Sequence, residues 1–231
     1  MSPLRAGARV LLAALVFAPL AVLAQGTVQH LSGTLSAQRP DGTARLLSEK
    51  SEVREGDVVT TGGNTYAQIR FTDGGRVTLR PDSQIRIEGY RFEEKEPEKD
   101  NFLFALVKGG MRAITGLISK RGNRDAYKLR TPTATVGIRG TDFNAINVPS
   151  GQADVPQGVY VTVADGSVVV LSGGIEQLVN PGQTAFSSSS NLPPQLVPPP
   201  PNLPQVTPPA TFGGPASSTI NSGTSADCLI Q

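Results

Sequence analysis

Apolar and polar side chains alternate with a period of two over much of the chain. Every second residue is apolar between positions 66 and 71. The turn sequences 73–75 and 81–83 separate this run from two further alternating runs, 76–80 and 84–88. Short alternating runs bounded by Gly, Pro, Asp and Ser are typical of β-strands, and no long stretch shows the 3.6-residue period of an amphipathic helix.

The same pattern returns late in the chain. Residues 159–163 and 168–171 are rich in Val, and Asp165-Gly166 supplies a turn between them. We therefore predict a mainly β domain of short antiparallel or stacked strands, arranged as a sandwich or as a solenoid-like stack. A regular solenoid is not established by pattern alone, because no repeat of fixed length is visible.

The amino terminus has the features of an export signal. Arg5 and Arg9 precede an uncharged run, 10–23, and Val22-Leu23-Ala24 offers a cleavage site for small residues. The run of 14 residues is short for a bilayer, which needs about 20. We predict that residues 1–24 are a signal peptide and that no transmembrane segment remains after cleavage. The expected location is the periplasm, with the outer surface or secretion as alternatives.

The composition changes after Phe186. A serine run at 187–190 is followed by 193–209, where nine of seventeen residues are proline. Such a segment favours an extended, polyproline-like chain and buries little apolar surface. We predict one folded domain, 26–186, and a disordered tail, 187–231. The single cysteine, Cys228, lies in that tail, so no disulfide framework is expected.

Residue types that carry catalysis are sparse. His30 is the single histidine, and no Ser/His/Asp relay, zinc spacing or phosphate-binding glycine loop accompanies it. The carboxylates of the charged loop 93–100 lack the apolar surroundings that raise a pKa for acid catalysis. We expect no enzyme activity, no metal and no cofactor.

Cations are concentrated between Lys108 and Arg130, where seven Lys and Arg residues accompany Asp125 alone. Such clusters bind phosphates, but export removes the protein from the chromosome and few aromatic residues lie nearby for base stacking. An acidic protein partner or an anionic envelope polymer is the preferred interpretation, and a merely solvated surface stays open. The candidate binding residues are Arg112, Lys120, Arg121, Arg124 and Arg139.

Arg139 is bracketed by Gly137 and Gly140, which permit positive φ or close backbone approach at a corner between strands. Its guanidinium has two options: an internal pair with a carboxylate such as Asp142, or an outward position. We favour the internal pair, because a corner between strands often needs such a clamp.

Five segments in order resemble the FecR family. They are 56–62, 67–74, 77–83, 108–116 and 131–141, and 180–183 resembles the segment that comes after that domain. The resemblance covers about 51–186, with a core over 51–145. It implies a mainly β periplasmic module without known catalysis. Its last segment contains the expected structural residues Thr131, Pro132, Gly137, Gly140 and Thr141.

The relative that gave this family its name is an inner-membrane regulator. Its periplasmic part receives a signal from an iron–siderophore transporter, and its cytoplasmic part controls a sigma factor. The predicted cleavable signal makes this chain more similar to free-standing exported members, which counts against regulation of iron transport. We predict a non-enzymatic module that docks a protein partner through strand edges or the basic stretch. The alternative is a structural protein anchored to cell-wall or surface polymer.

Overall fold

The computed structural model describes residues 25–123, 125–150 and 154–212. Strands make up 53% of it and helical turns 5%, which confirms the mainly β prediction. The predicted signal peptide, Arg124 and Cys228 lie outside the described residues.

The described residues form fifteen strands and three short 3₁₀ turns. The turns are Pro97–Lys99, Ile118–Lys120 and Ala210–Phe212. The strands are β1 (Gly26–Ser32), β2 (Leu35–Gln38), β3 (Ala44–Leu47), β4 (Glu52–Val53), β5 (Val58–Thr61), β6 (Tyr66–Phe71), β7 (Arg76–Leu79), β8 (Gln84–Arg91), β9 (Asn101–Ile114), β10 (Tyr127–Arg130), β11 (Thr135–Val148), β12 (Gly158–Ser172), β13 (Ile175–Val179), β14 (Thr184–Ser187) and β15 (Gln195–Val197).

All these strands belong to one hydrogen-bonded sheet that folds into two layers. The first layer has the order β4-β1-β6-β7, followed by the second half of β9, the second half of β11, the first half of β12, β14 and β15. The second layer has the order β3-β2-β5-β8, the first half of β9, β10, the first half of β11, the second half of β12 and β13. Within the described residues, β9 and β10 are the one parallel pair.

Three long strands pass from one layer to the other at glycines. Gly109 in β9, Gly140 in β11 and Gly166 in β12 have φ values of 78°, 65° and 75°. An L side chain rarely adopts such values, so glycine is required at these corners. The corner predicted at Gly140 is confirmed, whereas Gly137 is extended and pairs with Val169.

The core lies between the layers. Phe71 of the first layer contacts Phe102 of the second, with ring centroids 4.6 Å apart. Tyr127 meets Phe102 edge-on at 4.8 Å and is fully buried. Apolar residues at alternate strand positions supply most of the rest, as the period of two predicted. Of the two predicted arrangements, this is the sandwich.

The predicted boundary after Phe186 needs a correction. β15 pairs with β14, and Leu203 and Val206 are buried in a second apolar cluster with Ile146 and Tyr160. Phe212 is also buried. The packed chain therefore continues to residue 212, because these apolar residues interrupt the prolines and anchor the segment. The remainder of the predicted tail, 213–231, lies outside the described residues.

Candidate docking surfaces

Arg112 forms a two-pronged ion pair inside the sheet. Its Nε and Nη2 donate to the Asp142 carboxylate at 2.8 and 2.5 Å, and this contact raises the pKa of Arg112. β9 and β11 run side by side here, since Asn144 lies opposite Arg112 in the ladder. Arg112 therefore clamps two strands together, and its guanidinium is already engaged.

Arg121 holds the charged loop 93–100 against the domain. Its Nε lies 3.2 Å from the carboxylate of Asp100, whose side chain is completely buried. The same guanidinium donates to the carbonyl oxygens of Glu93 and Glu94, both at 3.0 Å, and lies 4.6 Å from the centre of the Phe92 ring. This cation is a structural connector between the loop and the Ile118–Lys120 turn.

The remaining candidate cations are solvent-facing. Lys120 and Arg139 are exposed and form no ion pair within the described residues. The predicted pair between Arg139 and Asp142 is wrong, because the register between β9 and β11 gives that carboxylate to Arg112. Arg130 pairs with Glu88 at 3.2 Å. Internal pairing thus removes much of the positive charge that the sequence concentrates between 108 and 130.

The threonines of the FecR-like segment have structural positions. Thr131 Oγ1 accepts from the Ala134 amide and donates to the Ala134 carbonyl, at 3.0 and 2.8 Å, which closes a turn containing the exposed Pro132. At the corner, the Thr141 amide donates to Thr115 Oγ1 at 2.8 Å. The Thr115 amide returns a bond to the Thr141 carbonyl at 3.0 Å.

Asp73 organises a buried polar site that sequence reasoning recognised only as a turn. Its carboxylate accepts the Gly75 amide at 3.0 Å, as expected for a turn aspartate, and also the Ile118 amide at 3.4 Å. Its own amide donates to Tyr90 Oη at 2.9 Å. Burial raises the pKa of Asp73 and that of Tyr90. The bond to Ile118 spans 45 residues, so no local pattern indicated it.

No group of three or more His, Cys, Asp or Glu side chains among the described residues is arranged to hold a metal ion. The ring of His30 instead stacks on Phe212, with centroids 5.3 Å apart. A surface depression between β5, β8 and β10 is lined by both Arg and Glu side chains, including the Arg130–Glu88 pair.

Exposed apolar side chains gather at one edge of the sandwich. Among the described residues eight large hydrophobic side chains are exposed, and five of them lie on or beside β12, β13 and β15. Their exposed fractions lie between 40% and 55%. The β12–β13 turn abuts the chain before β15, since the Gly173 amide donates to the Ser190 carbonyl. This group, which we call the apolar edge, comprises Leu171, Ile175, Leu178, Leu192 and Leu196.

β13 itself is an edge strand. Within the described residues it is hydrogen-bonded to β12 alone, so the backbone groups on its other side have no strand partner. Opposite Leu178 in the ladder lies Val169, and opposite Val169 lies Gly137. An unpaired strand with apolar neighbours is a template for pairing with another chain.

Residues 57–169 match the family described as FecR protein. The match begins within the first of the five segments that resemble this family and ends in β12, so it spans both layers of the sandwich. The chain therefore carries a FecR-family domain, and such domains are periplasmic.

Two solved structures of a candidate anti-sigma factor from Parabacteroides distasonis are similar to 61% of this chain, at 17% and 18% identity and a TM-score of 0.46. The chain spans 58% of the length of each. A solved cell surface anchoring domain is 32% identical over 27% of this chain and 82% of its own length, with a TM-score of 0.26. No curated protein sequence matches the chain. In the part of the chain that the structure describes, helices long and apolar enough to cross a membrane are absent.

Proposed function

We propose that this protein is a non-enzymatic interaction module of the bacterial envelope that docks an extended segment of a partner protein along β13. The observation that carries the proposal is the apolar edge. Large apolar patches on otherwise polar surfaces mark interaction sites, and here the patch surrounds an unpaired strand. The FecR-family match supports a role in periplasmic signalling.

The geometry of β13 suits strand addition. Its five residues offer about 17 Å of backbone at 3.3–3.4 Å per residue. Neither lysine nor proline, the residues that commonly protect an edge, occurs between 175 and 179. An incoming strand would extend the row that Gly137, Val169 and Leu178 form across the sheet. Backbone hydrogen bonds would supply affinity, and apolar side chains at alternate positions would supply specificity.

The basic stretch is the weaker docking candidate. Arg112, Arg121 and Arg130 are engaged with carboxylates of the same domain. Lys108 and Lys120 remain exposed, but they lie on different elements, at the β9 bend and at the Ile118–Lys120 turn. Scattered single lysines contribute little to affinity in a screened environment.

Photo-crosslinking in cells that make the protein natively tests this proposal. A photoreactive phenylalanine analogue replaces Leu178 in one variant and Leu46 in a control. Leu46 is 77% exposed on β3, the opposite edge strand of the same layer. We expect position 178 to give an adduct with one partner protein and position 46 to give none.

A second change verifies that the contact is apolar. Ile175→Ser combined with Leu171→Ser should reduce the adduct at position 178 at least about tenfold, since two exposed apolar contacts are removed. Adduct formation at Lys120 but not at 178 would place the interface on the basic stretch. Co-sedimentation with purified peptidoglycan, undiminished by the serine variant, would instead favour anchoring to envelope polymer and contradict the proposal.

A further inference from the structure

A second surface lies on the outer face of the first layer, away from the apolar edge. The chain after β15 crosses this face between the β11–β12 pair and β1. Leu203 and Val206 are buried there with Ile146, Val148 and Tyr160, and Phe212 stacks on His30 of β1. Seven of the fifteen residues between 198 and 212 are proline.

The contacts of this segment repeat every third residue. Leu203, Val206 and Phe212 are buried, and Pro200 and Pro209 are half-buried, so positions 200, 203, 206, 209 and 212 face the domain. Asn202, Gln205 and Thr207 are exposed. A period of three is that of the polyproline II helix, which has three residues per turn.

The length of the segment also fits this conformation. Four strand-to-strand steps separate β11 from β1 across β9, β7 and β6. At about 4.8 Å per step they span about 19 Å. The six residues from Val206 to Phe212 span about 19 Å at 3.1 Å per residue. The segment therefore crosses the face in an extended form without slack.

The segment is held by side chains rather than by backbone hydrogen bonds. Its backbone bonds, from Leu203 to the Pro200 carbonyl and from Phe212 to the Pro209 carbonyl, are local, and none reaches the β domain within the described residues. The floor beneath Leu203 and Val206 is aromatic. The rings of Tyr160 and Phe186 stack 4.6 Å apart, and the Tyr160 hydroxyl donates to the Pro156 carbonyl at 3.0 Å.

We infer that the outer face of the first layer is a binding site for proline-rich peptides in the polyproline II conformation, and that residues 198–212 occupy it as an intramolecular ligand. Aromatic grooves recognise such peptides because the ligand is pre-ordered and loses little entropy on binding. This site is independent of docking along β13, since β13 belongs to the second layer and the two surfaces use different side chains.

The test uses the full mature chain and a labelled synthetic peptide of sequence 198–212. The released variant carries Leu203→Ser, Val206→Ser and Phe212→Ser, all outside the main core. The control variant carries Asn202→Ser, Gln205→Ser and Thr207→Ser at exposed positions of the same segment. We expect the released variant to bind the peptide at least about tenfold more tightly than the wild type or the control, because a tethered ligand competes at an effective concentration of about 1 mM.

The single histidine supplies a site-specific readout. In the wild type, the ring current of Phe212 shifts the His30 imidazole proton resonances; in the released variant this shift is lost, and added peptide should restore it. A peptide with serine at the three anchor positions should not. The inference is overturned if the folded released variant fails to bind the peptide, or if the wild type binds it equally well. If the released variant does not unfold cooperatively, Phe212→Ser alone is titrated, with the same two contrary outcomes.

Discussion

Replacing Arg121 by Met should destabilise the domain strongly although the residue lies in a charged surface stretch. The Asp100 carboxylate is completely buried, and besides Arg121 it receives the Glu93 amide at 2.8 Å. Removing one member of a buried ion pair costs about 3–5 kcal/mol. The Arg121 side chain retains 25% exposure, so the lower part of that range applies, about 2–3 kcal/mol.

Met preserves the contact with Phe92 through its thioether and removes only the charge and its hydrogen bonds. The loss corresponds to a fall in Tm of about 4–12 °C for a domain of this size. Urea unfolding followed by circular dichroism gives the free energy of unfolding. A double-mutant cycle with Asp100→Asn isolates the pair, and we expect a coupling energy of about 1–2 kcal/mol.

Arg91→Met is the matched control. Arg91 lies 3.4 Å from Glu93 near the same loop, but both side chains are about half exposed, and exposed pairs contribute about 0–1 kcal/mol. If Arg121→Met costs no more than Arg91→Met, or if the cycle is additive, Arg121 does not hold the loop, and its guanidinium is available for docking after all.

Three further changes test other parts of the structure. Burial raises the pKa of Asp73 above 3.8, so the folded state binds this proton more tightly than the unfolded state, and the free energy of unfolding should fall as pH rises from about 4 through the folded pKa; Asp73→Asn should flatten this part of the urea-unfolding profile, and identical slopes would refute the assignment. Gly166→Ala places a Cβ 2.2 Å from the Gly140 carbonyl oxygen and should cost about 3 kcal/mol or more, whereas Gly74→Ala, with positive φ but open space, should cost about 1 kcal/mol by the same measurement. Arg139→Met should change the free energy of unfolding by less than about 0.5 kcal/mol, because the side chain is exposed; a clear fall in Tm would revive the internal clamp.

Local patterns predicted the strands and the corner, whereas pairing across the sheet decided the ion pairs. The alternation at 66–71 and 84–88 corresponds to β6 and β8, and the glycine at 140 marks a real corner. The partner of Asp142 could not be read from neighbouring residues. Arg112 lies 30 residues away, and the register of β9 against β11 brings the two together.

The two surfaces of greatest interest left weaker signals in the sequence. Residues 168–171 are apolar on both faces, which is typical of a strand buried on both sides, yet Leu171 is 40% exposed. An unbroken apolar run near a chain boundary was therefore the available sign of an interface. In the proline-rich segment, the spacing of Leu203 and Val206 matches the polyproline period, but composition alone favoured a disordered tail.

Docking along β13 is tested most directly by backbone amide hydrogen exchange on the free protein and on the protein bound to the partner identified by crosslinking. Strand addition predicts that amides within 175–179 exchange at least about tenfold more slowly in the complex, because their outward groups become hydrogen-bonded, while amides of β3 are unchanged. A complex in which 175–179 exchanges as in the free protein, with protection around Lys108 and Lys120 instead, would contradict it.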